Sequence, residues 1–84
     1  MINDKVLTKV RILLKNMDNV EKFVEITNKF NFDIDVIGEK RIVNGKSVLG
    51  LLTLDLTSPL SVTLNTNKSN EINEFINLIN DFKI

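Results

Sequence analysis

The sequence contains no histidine and no cysteine among its 84 residues, and it also lacks tryptophan and tyrosine. Without cysteine the chain has no disulfide framework, no thiolate nucleophile and no thiolate ligand for a metal. The missing histidine removes the other common ligand for zinc and related ions. We therefore expect no metal site and no cofactor.

The formal net charge is zero, because the sequence contains 11 basic and 11 acidic residues. A protein that binds nucleic acid or an acidic membrane surface needs a net basic field, so neither partner is expected. The sequence has no run of about 18 apolar residues that could span a membrane. The start, M-I-N-D-K, shows no signal-peptide pattern, and a cytoplasmic location is expected.

The apolar residues that remain follow two periods. Alternation with period two predicts half-buried strands, and spacing of three and four residues predicts amphipathic helices. The predicted order is β-α-β-β-α-β-α in a single domain over residues 1–84. The strands are expected at 6–14, 32–36, 40–43 and 60–65, and the helices at 18–29, at 46–54 and from about 70 to the C-terminal end.

Two of the predicted helices have features that bear on function. The first begins after Asn16, which could cap it, while Asp18 and Glu21 could instead form a capping box. The second is apolar on both sides: Leu51 and Leu54 lie on one side, and Val48, Leu49 and Leu52 lie on the other. A helix of this kind is either fully buried or turns one side towards a partner.

The segment from Lys46 to Leu56 reads K-S-V-L-G-L-L-T-L-D-L. Phe23-Val24 and the V-T-L of residues 62–64 align with the same family pattern as this segment, without gaps between them. In this register the chain resembles HPr, the small phosphocarrier of the bacterial sugar phosphotransferase system. The resemblance implies an α+β fold of the open-faced β-sandwich type. In that fold three helices cover one face of a four-stranded antiparallel sheet.

The active-site loop departs from the HPr pattern. The resemblance places Asn16 at the position of the phosphoryl-accepting histidine and Asp18 at the position of an arginine. An amide nitrogen is not a usable nucleophile, because its lone pair is delocalised into the carbonyl. An arginine could donate two parallel hydrogen bonds to a phosphate, whereas a carboxylate repels a phosphate. We expect no catalytic residue here; the simpler interpretation of Asn16 and Asp18 is helix capping.

Ser47 is a candidate site of regulatory phosphorylation. The resemblance implies it, because a dedicated kinase phosphorylates the matching serine in HPr of low-GC Gram-positive bacteria. A helix start also favours an anion, and Lys46 is adjacent. The alternative is a serine that only caps the helix.

Val48, Leu49 and Leu52 form a candidate partner-binding surface, which Met17 could extend as a soft, adaptable contact. In HPr the exposed side of this helix binds enzyme I, sugar permease domains and regulators. The alternative is that these residues pack under a loop or in a dimer.

The leading hypothesis is a non-catalytic HPr-like binding and regulatory protein, similar to the catabolite-repression HPr homologues that lack the active histidine and keep the serine. Its expected partners are proteins: a regulator, a kinase or a phosphotransferase-system component. A second hypothesis is a constitutive interaction module or homodimer that uses Val48, Leu49 and Leu52. A third is a ferredoxin-like small-molecule sensor, because that fold shares the order β-α-β-β-α-β.

Overall fold

The computed structural model describes residues 8–84, so Val6 and Leu7 of the predicted first strand lie outside the described residues. Along the described chain the strands are β1 (Thr8–Ile12), β2 (Ile34–Ile37), β3 (Ile42–Asn44) and β4 (Leu60–Leu64). The helices are α1 (Met17–Thr27), α2 (Val48–Leu51), α3 (Ser69–Leu78) and a 3-10 helix (Asn80–Phe82).

The four strands form one antiparallel sheet in the order β1-β4-β2-β3. Val10, Val62, Val36 and Val43 are paired across the strands, so they lie on the same face. This face carries the buried residues of the core, because side chains alternate between the two faces of a sheet. The helices cover it, and the α+β open-faced sandwich is confirmed.

Phenylalanines join the helices over the core. The ring of Phe23 in α1 contacts Phe75 of α3 and Phe82 of the 3-10 helix edge to face, with centroids 6.3 Å apart in both pairs. Phe30, just after α1, contacts Phe75 at 5.4 Å. Such edge-to-face pairs add to the free energy gained from burial alone. The predicted apolar sides of the first and last helices are therefore confirmed.

The last helix is shorter than predicted. α3 ends at Leu78, a 3-10 turn follows, and the C-terminal residues then run beside β1. Leu13 donates its N–H to the Phe82 carbonyl at 2.8 Å, and Ile84 donates to the Arg11 carbonyl at 3.2 Å. These bonds cover part of a sheet edge that would otherwise be unpaired, which explains why the helix does not continue.

The second helix and the third strand also differ from the prediction. α2 is one turn long, and Thr53 and Leu54 donate to carbonyls three residues earlier, which tightens the chain into turns. Gly38 donates its N–H to the Arg41 carbonyl at 2.9 Å. This bond closes the turn around Glu39, so Lys40 precedes the strand instead of starting it.

Candidate functional site

Asn16 is the N-cap of α1. Its Oδ1 accepts a hydrogen bond from the Asn19 N–H at 2.9 Å, and it is exposed to solvent. Asn19 in turn donates its Nδ2 to the Leu14 carbonyl at 2.7 Å, which ties the start of the helix to the end of the first strand. Of the two capping arrangements left open by the sequence, the structure has the Asn16 cap.

The chain reaches this cap through a strained residue. Lys15 has a φ of 79°, in the left-handed region that residues with a Cβ adopt rarely. Its N–H donates to the Leu56 carbonyl at 2.8 Å. Asp18 follows in the first turn of α1 and is exposed, where the unpaired amides of the helix start favour a negative charge. Neither Asn16 nor Asp18 has an imidazole ring that could carry a phosphate.

Ser47 is the N-cap of α2 and repeats the same arrangement. Its Oγ accepts a hydrogen bond from the Gly50 N–H at 3.0 Å, and the side chain is partly buried. A hydroxyl that accepts one hydrogen bond still has its own proton and a free lone pair. Ser47 is therefore a helix cap and remains chemically able to accept a phosphoryl group.

Lys46 lies beside Ser47 in the sequence, but its ammonium is used elsewhere. Nζ donates to the Phe30 carbonyl at 2.7 Å, just beyond the C-terminal end of α1. A cation at that position is favoured by the helix dipole. Lys46 therefore stabilises the end of α1 in this structure.

Two hydrogen bonds align the segment that contains α2 with α1. Thr27, at the end of α1, donates its Oγ1 to the Gly45 carbonyl at 2.9 Å in a buried position. At the other end, Lys15 is bonded to Leu56. The segment 45–56 therefore runs antiparallel to α1, with Ser47 near the end of that helix and Leu52 nearer its start.

Three large apolar side chains remain exposed on this part of the molecule. Met17 is 51%, Leu49 80% and Leu52 38% exposed. We call these three residues the docking face. Leu51, on the other side of α2, is fully buried.

Val48 differs from the prediction for this surface, because it is partly buried and packs against the core. Val48 and Leu51 are three residues apart, so Val48 lies on the flank of the helix nearest the buried side.

An Asp-x-Thr-Ser turn, which begins four residues after the end of α2, was not among the predicted site residues. The Asp55 carboxylate accepts bonds from the Thr57 N–H and Oγ1 and from the Ser58 Oγ. These bonds lower the pKa of Asp55 below its ordinary value of 3.8. Asp followed by Thr or Ser two residues on is a known turn signal that could have identified it.

Asp55 also borders two open clefts beside the β2–β3 turn, of about 430 and 300 Å³. Its carboxylate accepts three hydrogen bonds within the turn, from the Thr57 N–H and Oγ1 and from the Ser58 Oγ.

Residues 8–84 contain no group of three or more acidic side chains placed to hold a metal ion. In the same range, no helix is long and apolar enough to cross a lipid bilayer.

A family model described as the PTS HPr component phosphorylation site matches residues 17–82. This range covers most of the 84-residue chain. The chain belongs to the HPr family. The match begins one residue after Asn16, so the equivalence of Asn16 with the HPr histidine rests on the sequence register and not on the matched range.

Solved HPr structures have the same fold. The chain is similar to HPr-C-His from Thermoanaerobacter tengcongensis at 24% identity, with a TM-score of 0.70 over 88% of this chain and 92% of that one. It is similar to the phosphocarrier protein HPr from Bacillus anthracis str. Ames at 23% identity, with a TM-score of 0.60 over 87% and 94%. No curated protein sequence matches the chain. At these identities the structures support the fold alone.

Proposed function

We propose that this HPr-family chain is a binding and regulatory module of the phosphotransferase-system type that does not relay phosphate through a histidine. The observation that carries the proposal is the absence of histidine from the whole sequence. Asn16, at the position that the resemblance gives to that histidine, serves as a helix cap. No catalytic role is proposed for the module, because the amide of Asn16 cannot act as a nucleophile towards a phosphoryl group.

Ser47 is proposed as the regulatory site. Its hydroxyl lies at a helix start and accepts a hydrogen bond from the Gly50 N–H, which does not use the hydroxyl proton. Phosphorylation would add a charge of about −1.5 to −2 at neutral pH next to the docking face. We propose that this charge changes the affinity of the docking face for a protein partner.

The phosphocarrier half of the proposal is tested with phosphoenolpyruvate and enzyme I, using an HPr that has its histidine as a positive control. Intact-mass spectrometry should show no phosphate on this chain, while the control gains one. A phosphate on the chain would defeat the proposal.

The regulatory half is tested with ATP and a kinase that phosphorylates the serine of HPr. We expect one phosphate on the unaltered chain and none on Ser47→Ala. The matched control is Ser61→Ala, which removes a hydroxyl from β4 and should leave labelling unchanged. If the unaltered chain is not labelled, Ser47 is only a cap.

A second candidate is a constitutive interaction module, and the commitment of Lys46 to Phe30 favours it. In this case the docking face binds a partner or a second copy of the chain without phosphorylation. Leu49→Glu should then abolish association in sedimentation and pull-down experiments without loss of the fold, because Leu49 is 80% exposed. Unchanged association would contradict this candidate.

The ferredoxin-like sensor, the third hypothesis from the sequence, rested on element order alone. The match to the HPr family model supports the first hypothesis instead.

A further inference from the structure

We propose that the side of the sheet that the helices leave uncovered binds a second copy of this chain, through a twofold axis parallel to the strands. We call this side the open face and define it by two rows of paired residues. The first row is Lys9, Thr63 and Asp35, and the second is Arg11, Ser61 and Ile37. This surface is separate from Ser47 and from the docking face, so it goes beyond the proposed function.

The register of the strands places both rows on one side of the sheet. Each row runs from β1 through β4 to β2. The valines that alternate with these residues along the three strands are buried in the core, so the rows lie on the opposite side. Lys9, Arg11 and Asp35 are exposed, whereas the small side chains of β4 lie between them.

The charges of the open face are separated by strand. β1 carries two cations, Lys9 and Arg11, and β2 carries the carboxylate of Asp35. Asp33 lies just before β2 and adds to the acidic side. The turn after β2, residues 39–40, contains one glutamate and one lysine, which balance each other. The face is therefore basic at β1 and acidic at β2.

Two other cations near the edges of the sheet lie on its opposite side. Lys83 is bridged to Ile12, whose side chain is buried in the core. Arg41 comes directly before Ile42, and Ile42 is paired with Ile37 of the open face. Because side chains alternate along a strand, Arg41 is directed to the other side.

This separation of charge selects one of two symmetric arrangements. A twofold axis across the strands would place β1 opposite β1, so that cations meet cations. An axis along β4 places β1 of each copy opposite β2 of the other, so that Lys9 meets Asp35 twice. Arg11 then lies over Ile37, beside the cleft that Glu39 and Asp55 border. Like charges placed opposite one another are unfavourable, so only the axis along β4 is complementary.

The pairing of Lys9 with Asp35 tolerates the usual twist between packed sheets. Their strands cross at about 30°. A residue one strand away from the axis, about 4.8 Å, is then displaced along its strand by about 2.4 Å. This displacement is smaller than the rise of one residue, about 3.3 Å, and a lysine side chain is long enough to span it.

Thr63 lies on the proposed axis. Its side chain is 7% exposed, and its Oγ1 has no hydrogen-bond partner within residues 8–84. A buried hydroxyl without a partner is uncommon in folded proteins. A residue on a twofold axis meets its own counterpart, and a hydroxyl can both donate and accept. The two Thr63 hydroxyls can therefore satisfy each other after a change of the χ1 angle.

The two outer edges of the open face carry exposed isoleucines. Ile42 is 65% exposed beside Ile37, and Ile84 is 62% exposed. Ile84 donates its N–H to the Arg11 carbonyl, so it lies beyond β1. The axis along β4 brings Ile84 of one copy towards Ile42 of the other, which removes apolar surface from water.

The size of the open face predicts a weak dimer. Five residues along four strands span about 17 by 19 Å, or about 320 Å². A standard interface buries about 800 Å² per partner. Self-association of the full chain is therefore measured by sedimentation velocity and by translational diffusion in NMR, from about 10 μM to about 1 mM. We expect dimers at the upper end of this range.

Charge reversal tests the contact between Lys9 and Asp35. Lys9→Asp should weaken self-association at least about fivefold, because two carboxylates then meet at both contacts. Asp35→Lys should weaken it equally, because two cations meet. A mixture of these two variants should associate again, since opposite charges then face each other at both contacts. Both positions are exposed, so the fold should be retained.

Two controls separate this contact from a general effect of charge. Lys22→Asp makes the same change of net charge as Lys9→Asp but on α1, and it should leave self-association unchanged. A mixture of Lys9→Asp with Glu74→Lys also combines copies of opposite net charge. It should associate more weakly than the mixture with Asp35→Lys, because one of its two contacts still joins two carboxylates.

Three outcomes would overturn the proposed dimer: a monomer at every concentration, unchanged association of Lys9→Asp, or a mixture of the two reversed variants that stays monomeric. Leu49→Glu should leave self-association intact. Loss of the dimer in that variant would assign self-association to the docking face and also overturn the open face as its site. The phosphorylation experiments on Ser47 are unaffected in every case, because they do not depend on self-association.

Discussion

The starts of α1 and α2 are built alike and differ in what their capping residues can do. Asn16 and Ser47 each accept a hydrogen bond from the backbone N–H three residues later, at 2.9 and 3.0 Å. Both therefore satisfy a free amide at a helix start. An asparagine amide is not a usable nucleophile towards phosphorus, whereas a serine hydroxyl is chemically able to accept a phosphoryl group.

The two starts also differ in the segments to which the chain around them is bonded. Next to Ser47, Gly45 accepts the buried bond from Thr27, and Lys46 is bonded to Phe30. Next to Asn16, the strained Lys15 donates its N–H to the Leu56 carbonyl, and Asn19 donates its Nδ2 to the Leu14 carbonyl. A shared capping geometry therefore carries no function by itself. The chemistry of the cap and its surroundings decide what the site can do.

Restoring the HPr pattern at the first start gives the largest expected effect. Asn16→His with Asp18→Arg should gain a phosphate from phosphoenolpyruvate and enzyme I, whereas we expect none on the unaltered chain. Asn16→His alone should gain it at least about tenfold more slowly, because two unit charges about 4 Å apart interact by roughly 1–4 kcal/mol and Asp18 would repel the phosphate. The measurement is the rate of mass gain.

Asn16→Ala with Asp18→Arg is the control for this experiment and should remain unlabelled. Equal rates for the single and double histidine variants would show that Asp18 does not oppose the phosphate.

The tightness of the chain next to Ser47 is tested by Gly45→Ala. A Cβ at Gly45 would lie 2.8 Å from Ile34 Cγ2 and 3.0 Å from the Ile34 carbonyl oxygen, both in the core strand. We expect the free energy of unfolding to fall by about 1–3 kcal/mol, measured by urea denaturation. Gly38→Ala should cost less, because its closest contact is the flexible Leu54 side chain. A larger loss at Gly38 would contradict this comparison.

The two caps are compared directly by Asn16→Ala and Ser47→Ala. Each should lower the free energy of unfolding by about 1 kcal/mol, because each leaves a helix amide without its partner. Asp18→Asn keeps a polar residue in the first turn of α1 and is the control, with a smaller expected change. If Ser47→Ala left stability unchanged, the cap seen at α2 would contribute nothing to the fold.

The smallest expected effect concerns pH at the turn after α2. Bonds from Thr57 and Ser58 lower the pKa of folded Asp55 below its ordinary 3.8. Its contribution to stability is therefore present above pH 3.8 and is lost as the pH falls through the lower folded value. Asp55→Asn should therefore slightly lower the free energy of unfolding at neutral pH, and the difference from the unaltered chain should shrink as the pH falls below 3.8. A larger effect of the substitution in acid than at neutral pH would contradict this.

Much of the fold could be predicted because the apolar residues follow clear periods. The alternation at Val10 and Ile12, and the helical spacing of Val20 and Phe23, correctly identified buried positions. The ends of elements were less predictable. The last helix ends early because Phe82 and Ile84 bond to the backbone beside β1, a contact between distant parts of the chain that a local period does not contain.

At the candidate site, the sequence by itself determined the chemistry. The absence of histidine, the amide of Asn16 and the hydroxyl of Ser47 are properties of residue types, and no fold can alter them. Only the tertiary structure decided how these groups are used. In the folded chain the Lys46 ammonium donates to the Phe30 carbonyl, Leu49 is exposed and Leu51 is buried. These outcomes depend on which distant segments meet, because hydrogen bonds and burial are formed between such segments.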